Sequence, residues 1–450
     1  SITQLPNYPQ IIANLPLVSC HFPLLLIQFC LMFDWLDTLA PPTNVTGPVL
    51  VAYVLFDIFL IVILARVLGN LLAKIGQPRV VGEILAGILL GPTLLGDTLS
   101  QVVAPIPARG ALSAIATLAL ILFMFLAGTE FDAARIKGRV GQAGVLALLS
   151  VAVPALLGFP VAAFMYTEAF AAADIDFLPF ALLLGSGLSV TAFPVMAHIL
   201  MERGELNSPL GSLGVATAGM MSVLMFLYIA FAAAVAAGGF SSFVVNFGLI
   251  LVFGVVSWFV LRPLLARTLP GMFQNGMLSG TGVAIVFGGM ILFGLITHLL
   301  DINALVGGFI WGLILPADPA LRSHLAGKVR DIAMVLLLPV FFALAGFSTD
   351  LKLILPETLP IVALVLLAAI GGKFIAALPA KAFGLSWRDA AVLGALFNTR
   401  GLLVLVVGLI GLELNIITIL TFTIFVVVAL VTNLMTLPLL NYLSRPRPTP

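Results

Sequence analysis

Long apolar runs alternate with short polar breaks along this chain, and thirteen of the runs have the length of a membrane span. Their limits fall near 48–72, 78–97, 110–132, 139–166, 177–203, 208–238, 241–268, 279–300, 301–316, 331–348, 357–384, 388–411 and 415–443. About 20 apolar residues in a helix cross the roughly 30 Å hydrocarbon layer. The ninth run is short enough to be re-entrant. The runs are continuous and lack the period of two that barrel strands show, so they predict helices. The predicted fold class is an all-α polytopic membrane protein with about 13 core transmembrane helices. Residues 11–33 have the length of one more span but carry two prolines, His21 and Gln28. Residues 1–47 contain no Lys or Arg, so no secretory signal is read there. This gives an N-terminal segment 1–47 with room for an extra helix, a transmembrane domain 48–443 and a short tail 444–450.

Two runs are interrupted in the middle. One reads Gly185-Ser-Gly-Leu-Ser189-Val-Thr191-Ala-Phe-Pro194 and the other Phe397-Asn398-Thr399-Arg400-Gly401. They lie about half a chain apart. Paired broken helices at corresponding places in two halves point to a secondary transporter built from inverted repeats, with its site where the breaks meet.

Composition removes the other broad classes. The chain has 450 residues, 62% hydrophobic and 9% charged, with mean hydropathy +1.23, which no soluble domain of this length shows. Its bulk partner is therefore the lipid bilayer. A net charge of +1 gives no footprint for nucleic acid. Cys20 and Cys30 lie in the N-terminal segment and the four histidines are scattered, so no cofactor or metal site is predicted. His198 and His298 read as packed or loop-facing side chains.

Basic residues in short loops set the orientation. Lys74, Arg79, Arg135, Lys137, Arg139, Arg203, Arg262, Arg267, Arg322, Lys328, Arg330, Lys381, Arg388, Arg445 and Arg447 fall on one side, against Arg109 and Lys352 on the other, a bias of 15 to 2. The C-terminus is therefore expected on the cytoplasmic side of a plasma (inner) membrane. Of the three cations left, Arg66 can snorkel to its helix end. Lys373 and Arg400 fall near the middle of their spans, where charge is costly, and become functional candidates.

Two readings stand for the break residues. Arg400 can neutralise the carbonyl ends of half-helices while Asn398 and Thr399 satisfy freed backbone groups, or it can touch substrate directly. Ser189 and Thr191 can cap backbone or coordinate a cation. A lone buried ammonium such as that of Lys373 calls for a carboxylate partner, yet no Asp or Glu occurs between Glu205 and Asp301. The helix after the first break offers Met220, Met221 and Ser222 instead. Glu130 and Asp132 read as a solvated ion-pair cluster beside Arg135 and Lys137. Glu83 either stabilises a helix N-terminus or lines an entry funnel. Asp57 lies deeper and could partner Lys373. Asp57 and Glu83 are thus the candidate coupling acids.

Taken in order, Gln77-Pro-Arg-Val-Val-Gly-Glu-Ile-Leu-Ala-Gly-Ile-Leu-Leu-Gly-Pro92, Phe125-Leu-Ala-Gly-Thr-Glu-Phe-Asp132, Ser189-Val-Thr-Ala-Phe-Pro-Val195, Phe341-Phe-Ala-Leu-Ala-Gly346 and Asn398-Thr-Arg-Gly-Leu402 resemble the second branch of the monovalent cation:proton antiporters, the cation/H⁺ exchangers of plants and their bacterial relatives. The resemblance runs from about residue 50 to residue 443. It implies 13 helices in the sodium/proton antiporter fold, a dimerisation domain, a mobile core with crossed broken helices, a homodimer, and elevator-type exchange of K⁺ or Na⁺ for H⁺. It places the transport site at Ser189, Thr191, Pro194, Met221, Ser222, Lys373, Asn398, Thr399 and Arg400.

The departures from the family pattern are specific. Relatives carry Asp-Asp or Asn-Asp on the helix after the first break, and aligning that stretch sets the pair on Met221 and Ser222. Where relatives often carry Glu after the second break, this chain has Val404. Lys373 matches the family's membrane lysine. The soluble regulatory domain of many relatives has no counterpart up to Pro450. Three functions follow as expectations: a diverged carrier of a monovalent cation or another small solute with altered or lost proton coupling, a transport-inactive scaffold or subunit, and a membrane enzyme reusing the cavity. No nucleophile–base pair or metal spacing supports the third, so the chain is read as a non-enzyme.

Overall fold

A computed structural model describes residues 46–444 except 78, 131–138, 194–195, 197–198, 201–202, 206–207, 239, 275–276, 301–303 and 317. The expected N-terminal helix over 11–33, Pro194, His198, Asp132 and the tail from 445 lie outside the described residues. The first half of the chain supplies α1 (Gly47–Lys74), α2 (Arg79–Leu90), α3 (Pro92–Val103), α4 (Ile106–Glu130), α5 (Val140–Met165), α6 (Phe177–Ser189) and α7 (Pro209–Gly238). A connecting rod follows, α8 (Phe240–Val256) continuing through a π-turn at Ser257–Leu261 into α9 (Arg262–Met272). The second half supplies α10 (Gly280–Leu299), α11 (Ala304–Ile314), α12 (Pro319–Asp331), α13 (Leu338–Phe347), α14 (Leu359–Ala377), α15 (Trp387–Phe397), α16 (Leu402–Glu413) and α17 (Ile419–Ser444). Among the described residues, nine helices are long and apolar enough to cross a membrane, and the bent pair α2–α3 makes a tenth. The shorter helices α6, α11 and α16 belong to the remaining spans.

The helices sort into two bundles. A panel joins α1, α2, α3 and α4 with α10, α11, α12 and α13, and a core joins α5, α6 and α7 with α14, α15, α16 and α17. The halves repeat each other's packing. In the panel α2 lies on α13 as α4 lies on α11, and in the core α5–α6 and α5–α7 answer α14–α15 and α14–α17. This is the inverted-repeat architecture that the two breaks predict.

Both panel crossings depend on glycine. A Cβ on Gly346 would run into the backbone of Gly87, and one on Gly87 would lie 2.5 Å from Ala343 Cα. At the symmetric crossing, a Cβ on Gly128 would strike Phe309 O and one on Gly312 would strike Phe125 O. Lipid tails are as apolar as leucine, so helix association in a membrane relies on close packing of this kind.

Three spans differ from their predicted form. The run at 78–97 is not one helix: it bends by 61° between α2 and α3, because Pro92 opens α3 and cannot continue the preceding ladder. The basic stretch before 331 is helical rather than a loop. Asp318 accepts hydrogen bonds from Ala320 N and Leu321 N at the start of α12, and α12 runs through a π-turn at Ile332–Leu337 into α13. The short ninth span is an 11-residue helix, about 16 Å long.

Gly346→Ala is expected to lower thermal stability in detergent by about 1–3 kcal/mol, the range for overpacking. Gly288→Ala, on the exposed face of α10 with nothing within 4 Å of the added Cβ, should be near neutral. Equal effects at the two positions would remove the packing argument.

Candidate functional site

An α-helix leaves its last four carbonyls without an intrahelical donor. In a membrane no water replaces the donor, so the protein must supply one. Helix α6 ends at Ser189, where the backbone turns extended at Val190 (φ −56°, ψ 140°). Helical geometry resumes at Phe193, with Met196 N donating to Ala192 O.

Two buried cations cap this end. Arg400 donates from Nη1 to Gly187 O (2.7 Å) and from Nη2 to Leu188 O (2.7 Å). Lys373 Nζ donates to Ser189 O. Three of the four orphan carbonyls are thus taken by side chains from α14 and from the second break. Both cations are 0% exposed, and both meet the negative pole of a helix.

The same cations hold the core together. Pro154 lies inside α5 and has no N–H for the carbonyl four residues back, Ser150 O. Lys373 Nζ donates to that carbonyl at 2.9 Å. Arg400 Nη2 also reaches Ala369 O on α14 at 2.9 Å. Ser189 Oγ lies 2.8 Å from both Val151 O and Gly185 O. One lysine therefore joins α5 to the end of α6, and one arginine joins α6 to α14.

The second break is closed by the first. Thr191 Oγ1 donates to Phe397 O at 2.6 Å, the last carbonyl of α15. Ala192 N donates to Thr399 O at 2.8 Å. Thr399 Oγ1 donates to Leu396 O within its own turn at 2.7 Å. Asn398 caps α15 through its backbone N–H to Gly394 O, and its side-chain Nδ2 lies 3.6 Å from Met435 Sδ on α17. Helix α16 then starts at Leu402 with Gly401 as its N-cap and no capping side chain.

The structure thus brings Ser189, Thr191, Lys373, Asn398, Thr399 and Arg400 to one crossing. Among the described residues no carboxylate is bonded to Lys373, and two backbone carbonyls take the place of the partner expected for it. Met221 is 0% exposed, and Ser222 Oγ donates to Ala218 O of its own helix at 3.0 Å. Asp57 is not the partner of Lys373: it sits in the panel, on the buried stripe of α1 with Ile61, Ala65 and Gly69, and α1 packs on α2, α4 and α13 rather than on α14. Glu83 is half-buried near the start of α2, within electrostatic range of Arg66 and Arg79.

Sequence reasoning missed three groups. Ser150 matters through its carbonyl, for which Pro154 inside an apolar run was the available signal. Thr217 Oγ1 on α7 and the Asn433 side chain on α17 are buried polar atoms without a partner, as are Asn398 Oδ1 and Arg400 Nε. Helices α7 and α17 both pack on α15. Ser150 Oγ on α5 and Tyr228 Oη on α7 are further unpartnered buried oxygens of the core.

Comparison with known proteins supplies the context. The family model described as "Sodium/hydrogen exchanger, transmembrane" matches residues 46–441. The chain is 36% identical over 393 residues to the Na(+)/H(+) antiporter NhaS4 of Synechocystis, covering 86% of this chain and 96% of that protein. It is 31% identical over 399 residues to Cation/H(+) antiporter 19 of Arabidopsis thaliana, covering 87% of this chain and 50% of that protein. The chain therefore spans about half the length of that plant relative. In three dimensions it is similar to the sodium proton antiporter MjNhaP1 from Methanocaldococcus jannaschii, with a TM-score of 0.62 at 15% identity over 88% of this chain and 97% of that chain. That likeness carries the fold.

Arg400→Met would leave three buried carbonyls without donors. At about 1–3 kcal/mol for each orphaned group, the variant should lose several kcal/mol in thermal unfolding, whereas Thr399→Val, which removes one local hydroxyl bond, should lose about 1 kcal/mol. An Arg400→Met protein as stable as the parent would show that the arginine is not a backbone cap.

Proposed function

Because the chain belongs to the sodium/hydrogen exchanger family, we propose that it is a secondary carrier for a monovalent cation, Na⁺ or K⁺, whose proton coupling is altered or lost. The observation that carries this reading is the crossing itself. The two breaks are cross-linked by Thr191, Ala192 and Arg400, and Lys373 ties the first of them to α5 and α14, while Met221 and Ser222 fall where the resemblance sets the family's acids. Within the core, α5, α6, α7, α14, α16 and α17 contain no carboxylate except Glu413 at the last residue of α16, and α15 has Asp389 in its first turn.

Chemistry explains the expected loss. In a coupled exchanger one carboxylate holds a proton or a cation in alternation, and the competition links the two fluxes. Here the lysine's donors go to carbonyls, and the oxygens open to a cation are neutral. A neutral site gives a cation no proton to displace.

Movement of the core against the panel, as in an elevator, fits the packing. The bundles meet through few elements, chiefly α13 against α16 and Asp350 N donating to Thr423 Oγ1 at 3.2 Å. The basic loops favour a cytoplasmic C-terminus in the plasma membrane, and the family supports a homodimer. A second reading, a transport-inactive scaffold or subunit, is favoured by the commitment of Lys373 and Arg400 to backbone. An enzymatic role has no support in the site.

Proteoliposomes distinguish these readings. The unmodified protein is expected to pass Na⁺ or K⁺ with no accompanying proton flux, and a Met221→Asp/Ser222→Asp variant to gain cation-dependent proton movement. Cation-driven proton flux in the unmodified protein would refute the loss of coupling. Absence of any flux in both proteins would favour the scaffold.

A further inference from the structure

The panel contains a group that the exchange site does not use. Asp57 is 1% exposed, and neither carboxylate oxygen has a hydrogen-bond partner. Leaving an ionised carboxylate in such a place costs several kcal/mol even after relaxation. It forms no ion pair among the described residues. Its neighbours on the same buried stripe are apolar, and Ile61, one turn along, packs in a cluster with Leu90, Ala104, Ala343 and Phe347.

The charged groups around it are few. On α4, Arg109 is within electrostatic range of both Asp57 and Asp97, the latter on α3. On α2 the charges are Arg79 and Glu83, which face Arg66 toward the other end of α1. Helix α13 and the π-turn before it carry no titratable side chain.

Arg109 is committed elsewhere. Its Nε donates to Ala104 O at 2.7 Å, and its Nη2 donates to Ser100 O at 3.0 Å and Ser100 Oγ at 2.8 Å. Its guanidinium also lies over the Phe347 ring at 5.1 Å. It thus caps the end of α3, a helix already kinked at Gly96, where φ is 72°. A cation within electrostatic range of an acid bonds to carbonyls instead, which is the arrangement expected when the acid carries no charge.

We propose that the Asp57 carboxyl is a proton-binding site of the panel, neutral in the state described here, with Arg109 as the cation that meets it when the proton leaves. A metal cation fits less well, because it needs several oxygen ligands and the other unpartnered buried oxygens lie in the core or on Gln77 beyond the far end of α1. Release turns the carboxyl into a carboxylate and a solvated proton. The new charge draws Arg109 from Ser100 and Ala104, uncaps α3 and loosens its contact with Phe347 on α13. The packing of α1, α3 and α13 then responds to pH. This site lies apart from the helix crossing and stands whether or not the chain exchanges ions.

Infrared spectroscopy of the full chain in lipid, with aspartate carboxyls isotopically labelled, tests it. The unmodified protein should show the carbonyl stretch of a protonated, weakly hydrogen-bonded aspartic acid near neutral pH. The band should vanish in Asp57→Asn, persist in Glu83→Gln, and fade as pH rises. In parallel, a proton bound by the native state makes stability fall as pH rises, so the melting temperature of the unmodified protein should drop relative to Asp57→Asn as pH is raised. A band untouched by Asp57→Asn, or a melting gap constant with pH, would overturn the proposal. If the variant does not fold, the unmodified spectrum decides: a labelled band that titrates supports the site, and no such band at any pH refutes it.

Discussion

A carbonyl freed inside a membrane must find its donor within the protein, and the core of this chain is organised around that requirement. Two helices stop halfway, and a third lacks the ladder donor at Pro154. Together these interruptions expose a cluster of backbone acceptors at one depth. Lys373 and Arg400 meet Ser150, Ser189, Gly187, Leu188 and Ala369 there. The cations that look like a transport site are thus, in the first instance, what allows broken helices to exist in lipid.

That account separates scaffold from chemistry. Capping fixes where the two breaks meet and which helices they join, and it needs no acid. Coupling does need one, and at the two positions where the family resemblance sets acids, α7 presents Met221, fully buried, and Ser222, bonded to its own turn. On the proposed reading, the fold of an exchanger persists without the residues that link cation to proton. The panel follows its own rule, in which glycines at 87, 128, 312 and 346 let pairs of helices touch backbone to backbone.

Much of this was legible in the sequence because it depends on local pattern. The apolar runs, both breaks, and Lys373 and Arg400 at mid-span are visible to anyone counting residues and charges. What escaped depends on docking. The partners of Lys373 are main-chain atoms, which a search for carboxylates could not find, and Asp57 lies in the other bundle, so its pairing with Lys373 failed. The bend at Gly91–Pro92 hid inside a run whose hydropathy never drops. The helix at 319–331 was passed over because its basic residues looked like loop, although Asp318 and Pro319 mark a helix start. Thr217 and Asn433 gave no signal, since a single polar residue in an apolar run is unremarkable until its surroundings are known.

The measurement closest to the central claim is the thermal shift produced by Na⁺ or K⁺ at two pH values in purified protein. A ligand that binds the native state stabilises it by mass action, and a shared carboxylate would make that gain smaller as protons compete. The account predicts a cation-induced shift that is the same at low and high pH, whatever its size. A shift that shrinks as pH falls would place a proton and a cation on one acid, and would contradict it.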